Sequence, residues 1–118
     1  QGILWHQGES DSNEHDAHAY LERLVALIAR LLSELTAPDV PFIAATLGDF
    51  VVARNQWAQV VNDALQALPN HMARTACVEV AGLVHNGDNL HFDGASAHEL
   101  GRRYAKAMIQ IQGVGGYK

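Results

Sequence analysis

The sequence predicts an α/β fold, a three-layer α/β/α sandwich in which a parallel sheet carries helices on its faces. Three observations lead there. Strand-like and helix-like segments alternate along the chain, the order that produces parallel strands joined by helical crossovers. The run Val40 to Leu47 (VPFIAATL) is continuously apolar, as a strand buried on both faces must be. The helical segments are amphipathic, so each has one face to lay against a sheet.

The elements follow in order. Gly2 to His6 is a short apolar run fit for a buried strand, and the seven polar residues Gln7 to Asn13 after it form a loop. From Asp16 to Leu35 the apolar positions Leu21, Leu24, Val25, Ile28, Leu31, Leu32 and Leu35 keep helical spacing. Acidic Glu14 and Asp16 near its start suit the positive end of the helix dipole, and Ala37-Pro38 stops it. The strand Val40 to Leu47 ends at Gly48-Asp49. A second helix fits Asn55 to Leu68, with Trp57, Val60, Val61, Ala64, Leu65 and Leu68 inward and Pro69-Asn70 closing it. Thr75 to Ala81 (TACVEVA) is a third strand, and Leu83 to Asp93 a polar, glycine-containing loop. Gly94 to Ile111 is the last helix, capped by Asp93, and Gly113 to Lys118 a frayed tail.

Composition narrows the function classes. A chain of 118 residues with 48% hydrophobic and 18% charged residues has room for one modest core and the balance of a globular protein. A formal net charge of −5 argues against a nucleic-acid partner, which needs a basic face. The apolar runs are interrupted well short of a membrane span. Cys77 is the sole cysteine, so no internal disulfide forms, and its apolar strand context marks a buried, inert thiol. The chain opens at Gln1-Gly2 directly into a core-like strand, which reads as a fragment of a larger domain. Its compartment is not legible.

In a parallel sheet ligands gather at the carboxyl ends of the strands. The loops Gln7–Asn13 and Leu83–Asp93 both follow strands and therefore meet on that edge. The second contains Asp88-Asn89-Leu90-His91. An imidazole acting as general base needs its other nitrogen held by an acceptor, and a carboxylate three residues earlier can reach it. A plain surface turn would also use this spacing. In the first, Gly8 permits a sharp bend, the Gln7 amide can donate to a developing oxyanion, and Glu9 can anchor the loop or orient a neighbour. Ser10, Asp11, Ser12 and Asn13 suit helix capping. His15 and His18 lack the i, i+4 spacing with an intervening Glu of catalytic zinc helices, and read as an exposed helix start. His71 and His98 look like surface residues; His6 and His85 are candidates for the cleft wall without an assigned role.

The run Gly2-Ile-Leu-Trp-His-Gln-Gly-Glu-Ser-Asp11 resembles block III of the sialate O-acetylesterase and acetylxylan esterase group of SGNH hydrolases, carbohydrate esterase family six. Asp88-Asn-Leu-His-Phe-Asp93, followed by Leu100-Gly101-Arg102-Arg103-Tyr104-Ala105 in a helix, resembles block V of the same group. The resemblance spans the chain as the C-terminal portion of an SGNH/flavodoxin-like domain. It implies an esterase that removes acetyl groups from carbohydrate hydroxyls without a cofactor, with His91 as base, Asp88 as its partner and Gln7 as oxyanion donor. Glu9 matches an acidic position of the catalytic network, and Trp5 and Phe92 match apolar packing positions. The family's nucleophile lies in an N-terminal Gly-Gln-Ser-Asn block that this sequence lacks. The serine is therefore expected from the N-terminal part of the domain, in the same polypeptide or as a separate chain. Ser10 lacks the surroundings of a nucleophile elbow, and Ser96, in the first turn of the last helix, is explained by capping. Two rivals stand beside this reading: a non-catalytic module that binds carbohydrate or completes another chain's sheet, and an SGNH lipase or thioesterase for other acyl groups.

Overall fold

The computed structural model describes residues 1–116, with side chains as far as residue 113. It contains a parallel three-stranded sheet in the order β1 (Ile3–Trp5), β2 (Phe42–Ala45), β3 (Thr75–Val78). Four α-helices surround it: α1 (Tyr20–Glu34), α2 (Asp49–Val52), α3 (Gln56–Ala67) and α4 (Gly94–Gly116). This is the expected α/β class, and β2 shows why its sequence is apolar throughout. Phe42 and Ala44 join the core beneath α1 and α3, while Ile43 and Ala45 join a second core beneath α4. All four are at most 1% exposed, so the strand is sandwiched and the layers are three.

The elements are shorter than the apolar runs. At the end of β2, Thr46 still donates its N–H to Val78 O of β3, and Leu47 then leaves the sheet while staying buried. The first helix begins at Tyr20, not Asp16; a 3-10 turn, Ala17–Ala19, precedes it, and just before that turn Asn13 Oδ1 accepts from the amides of His15 and Asp16. Asn55 caps α3 by accepting from Trp57 N, and Pro69 sits in a 3-10 turn that closes it. The four-residue α2 was not foreseen, being too short to show a period. The last helix runs past Ile111 to Gly116, so residues 113–116 are not a frayed tail; Tyr117 and Lys118 lie outside the described residues. Among the described residues no helix is long and apolar enough to cross a membrane. Cys77 is half-buried in β3 and desolvation pushes its thiol up to about 12, in keeping with an inert role.

Candidate active site

The carboxyl ends of β1 and β3 lead into the two polar segments, and the structure brings both to the same edge. Beyond β1 the chain bends at Gly8, where a Cβ would sit 2.8 Å from Val61 Cγ1, so close packing under α3 admits only glycine. Glu9 Oε1 accepts from Gly8 N at 3.1 Å, and the buried Ser12 hydroxyl donates to Gly8 O at 2.9 Å. Glu9 thus ties the bend to itself. Tyr20, at the start of α1, is 4% exposed; its hydroxyl accepts from Trp5 Nε1 and donates to Gln7 O at 2.6 Å. Burial raises the Tyr20 phenol to about 12, so it keeps the proton it donates. On the other side Tyr104 of α4 donates to Trp5 O at 2.7 Å. Two tyrosines from opposite layers therefore fix the backbone that carries Gln7. The Gln7 side-chain amide itself makes no hydrogen bond to protein among the described residues and is free to donate outward.

The second segment is a small hairpin. A bridge between His85 and Phe92 and the bond from Asp93 N to Val84 O close its base. Its tip is held by side chains accepting backbone amides. Asn86 Oδ1 accepts from Asp88 N, and Asp88 Oδ1 accepts from Leu90 N and from His91 N at 2.7 Å. The other Asp88 oxygen lies 2.6 Å from His91 Nδ1. The amide of His91, then its ring, then the amide of Leu90 hold the Asp88 carboxyl down at about 2. An ionised acceptor on Nδ1 places the ring proton there and leaves Nε2 with its lone pair outward. The His91 side chain is 70% exposed, and Nε2 has no protein partner among the described residues.

His91, Gln7, Glu9, Ser10, His6 and Tyr104 line one cleft of about 610 Å³. Of the expected site residues, Gln7, Glu9 and His91 are brought together directly, and Asp88 joins through His91. Trp5 packs against Phe42, centroids 6.0 Å apart, inside the core. Phe92 stacks on His6 at 5.4 Å and meets Phe50 edge-on, so it packs and also forms part of the cleft wall. Asp93 caps α4 as expected, accepting from Ser96 N at 2.8 Å. Ser96 does not cap: its buried hydroxyl accepts from Val84 N and supports the hairpin base. His15 pairs with Asp16 and His18 lies edge-on against Trp57. Tyr20 and Tyr104 were missed as contributors; they sit at inward helical positions and look like ordinary core, so only their partners reveal them. His85, a candidate for the cleft wall, is not among the residues that line the cleft and instead accepts from the amides of Gly87 and Asn89.

Comparison with known proteins identifies the family. Residues 1–110 match the family described as carbohydrate esterase, sialic acid-specific acetylesterase. A probable carbohydrate esterase of Arabidopsis thaliana is 30% identical over 110 residues, covering 92% of this chain and 40% of that protein. The 1.6 Å X-ray structure of the same Arabidopsis protein superposes with a TM-score of 0.82 at 30% identity, covering 92% of this chain and 44% of the other. The chain thus spans about two fifths of the length of the relative it matches. With both polar segments inside the matched span, the chain belongs to the sialic acid-specific acetylesterase family of carbohydrate esterases.

Proposed function

We propose that this chain supplies the base, its orienting acid and a side-chain oxyanion donor of a serine esterase that removes O-acetyl groups from carbohydrates. The observation that carries the reading is the Asp88–His91 contact: a 2.6 Å bond to Nδ1 on a ring that lines the same cleft as Gln7. The nucleophilic serine comes from an N-terminal part of the same domain, in one polypeptide with this chain or as a separate chain. That serine attacks the acetyl carbonyl while His91 Nε2 takes its proton. Gln7 donates to the oxyanion as it forms, and Asp88 stabilises the imidazolium. Collapse of the tetrahedral intermediate expels the sugar oxygen, which receives the proton from His91 and leaves an acetyl-serine. Water, deprotonated by His91, then attacks the acetyl-serine, and acetate leaves as His91 returns the proton to the serine oxygen. Glu9 acts by holding the Gly8 bend, and no step calls for a metal or organic cofactor.

In the complete domain, His91→Ala is expected to lower kcat on an acetylated sugar by about 10²–10⁴-fold while circular dichroism stays unchanged. Near-normal turnover removes His91 from the mechanism, whereas no turnover of any acetyl ester by the unsubstituted domain favours a carbohydrate-binding or sheet-completing module. A panel of acetylated sugars against longer-chain esters and thioesters separates this esterase from a lipase or thioesterase.

A further inference from the structure

We propose that His85 is a positioning residue for the Asp88–His91 pair, acting as an imidazole acceptor that shapes the hairpin tip and releases it when protonated. His85 Nδ1 accepts from Gly87 N at 2.9 Å and from Asn89 N at 3.2 Å. Those two residues flank Asp88 and both have positive φ, +116° at Gly87 and +61° at Asn89. A left-handed conformation at a non-glycine residue costs free energy and persists only where its surroundings hold it. Here the ring supplies that hold. It does for Gly87 and Asn89 what Asn86 and Asp88 do for the amides of Asp88, Leu90 and His91. The hairpin tip is therefore a set of three neighbouring acceptors, and His85 is the one whose accepting atom is a basic ring nitrogen.

The ring is placed by its own packing. Phe50 of α2 meets it edge-on, centroids 5.2 Å apart, and the His85–Phe92 bridge fixes its backbone. Acceptance at Nδ1 requires the neutral form with its hydrogen on Nε2. The charged and titratable groups on the elements around it are Asp88, His91 and Asp93 of the hairpin, Asp49 of α2, and His6, which stacks on Phe92. Asp88 is engaged with His91, Asp93 with Ser96 N, Asp49 with Gly82 N and His6 with Thr46 O. No ion pair joins any of them to His85 among the described residues. A second proton would turn Nδ1 into a donor facing two donors. Protonation of His91 has the opposite effect, since an imidazolium strengthens its bond to the ionised Asp88. Loss of order at the tip on ring protonation would thus be traceable to His85.

The proposal takes the catalytic reading of Asp88 and His91 as its setting, but its first test does not depend on catalysis. In NMR spectra of this chain, the His85 ring should be the Nε2–H tautomer, and the amide shifts of Gly87 and Asn89 should change together with the protonation of the ring. A ring with Nδ1 protonated at neutral pH, or amides that ignore its titration, overturns the proposal. His85→Phe keeps the contact with Phe50 and removes the acceptor. It should broaden or abolish the Nδ1 proton signal of His91, whereas His85→Asn, which can accept a nearby amide, should restore it. An unchanged signal in His85→Phe also overturns the proposal. In the complete esterase, His85→Phe should lower kcat by up to about 10²-fold with KM within about twofold, as displacement of a positioned base does. If His91→Ala is fully active, the catalytic role of His91 fails while the NMR results still decide the role of His85.

Discussion

Asp88 serves two structures with its two oxygens: Oδ1 accepts from the amides of Leu90 and His91, and Oδ2 holds the His91 ring. Asp88→Asn can keep the first role through its carbonyl, but its amide group then faces Nδ1 as a donor and favours the wrong tautomer. Such a change is expected to cost about 10⁴-fold in kcat of the complete enzyme with little change in melting; activity within tenfold of wild type would deny Asp88 the orienting role. The same bonds set a pH dependence. The folded carboxyl is held at about 2, below the usual carboxylate value, so its contribution to the hairpin is present above about pH 4 and disappears as pH falls through 2. A carboxyl titration by NMR that returns an ordinary carboxylate value would show that the three bonds are absent in solution. The Asp-x-x-His spacing was legible because one side chain reaches a defined offset along the chain. The work of His85 was not, because its bonds exist only once Gly87 and Asn89 take up positive φ, and no pattern of residue types announces that.

At the scale of elements, the helices were readable from period and the strands from apolar runs, while the connections between them depend on single polar side chains. Asn62 is the clearest case. It lies on the inner face of α3, 7% exposed, and grips the backbone of Leu47 from both sides, accepting from its N–H at 2.7 Å and donating to its C=O at 3.2 Å. Leu47 has left the sheet by this point, so these bonds replace the ladder partners that a longer β2 would have had. In the sequence Asn62 looks like a polar interruption of the apolar stripe. Asn62→Ala should cost about 1–3 kcal/mol, seen as a lower urea midpoint, because it strands a buried donor and acceptor. A midpoint unchanged within error would mean that water reaches Leu47. Thr46 plays a related part, its hydroxyl accepting from Val80 N where β3 ends. The strand boundaries were misjudged here because the ladder ends one bond later, at Thr46 N donating to Val78 O, and side chains then take over the backbone of Leu47 and Val80.

For the molecule as a whole, the two cores are covered unequally. Beneath α1 and α3 the β1 residues Ile3 and Trp5 pack inward. Leu4 alternates to the α4 side, opposite Ile43 in register, yet it is 55% exposed because α4 lies over β2 and β3 and leaves that side of β1 open. The outer edge of β1 also has no strand beside it among the described residues. A segment that pairs with β1 and carries the nucleophile to the cleft would cover Leu4 at the same time, and this gives domain completion a test independent of activity. In this chain by itself, Leu4→Lys changes a half-exposed side chain and should shift stability by no more than about 0.5 kcal/mol. In the complete domain the same substitution places an ammonium in a buried apolar site, and the loss should reach at least about 2–5 kcal/mol. Paired denaturation curves for the two contexts measure the difference. Equal effects would mean that Leu4 stays at the surface and that the serine reaches the cleft by a route that leaves this face of the sheet open.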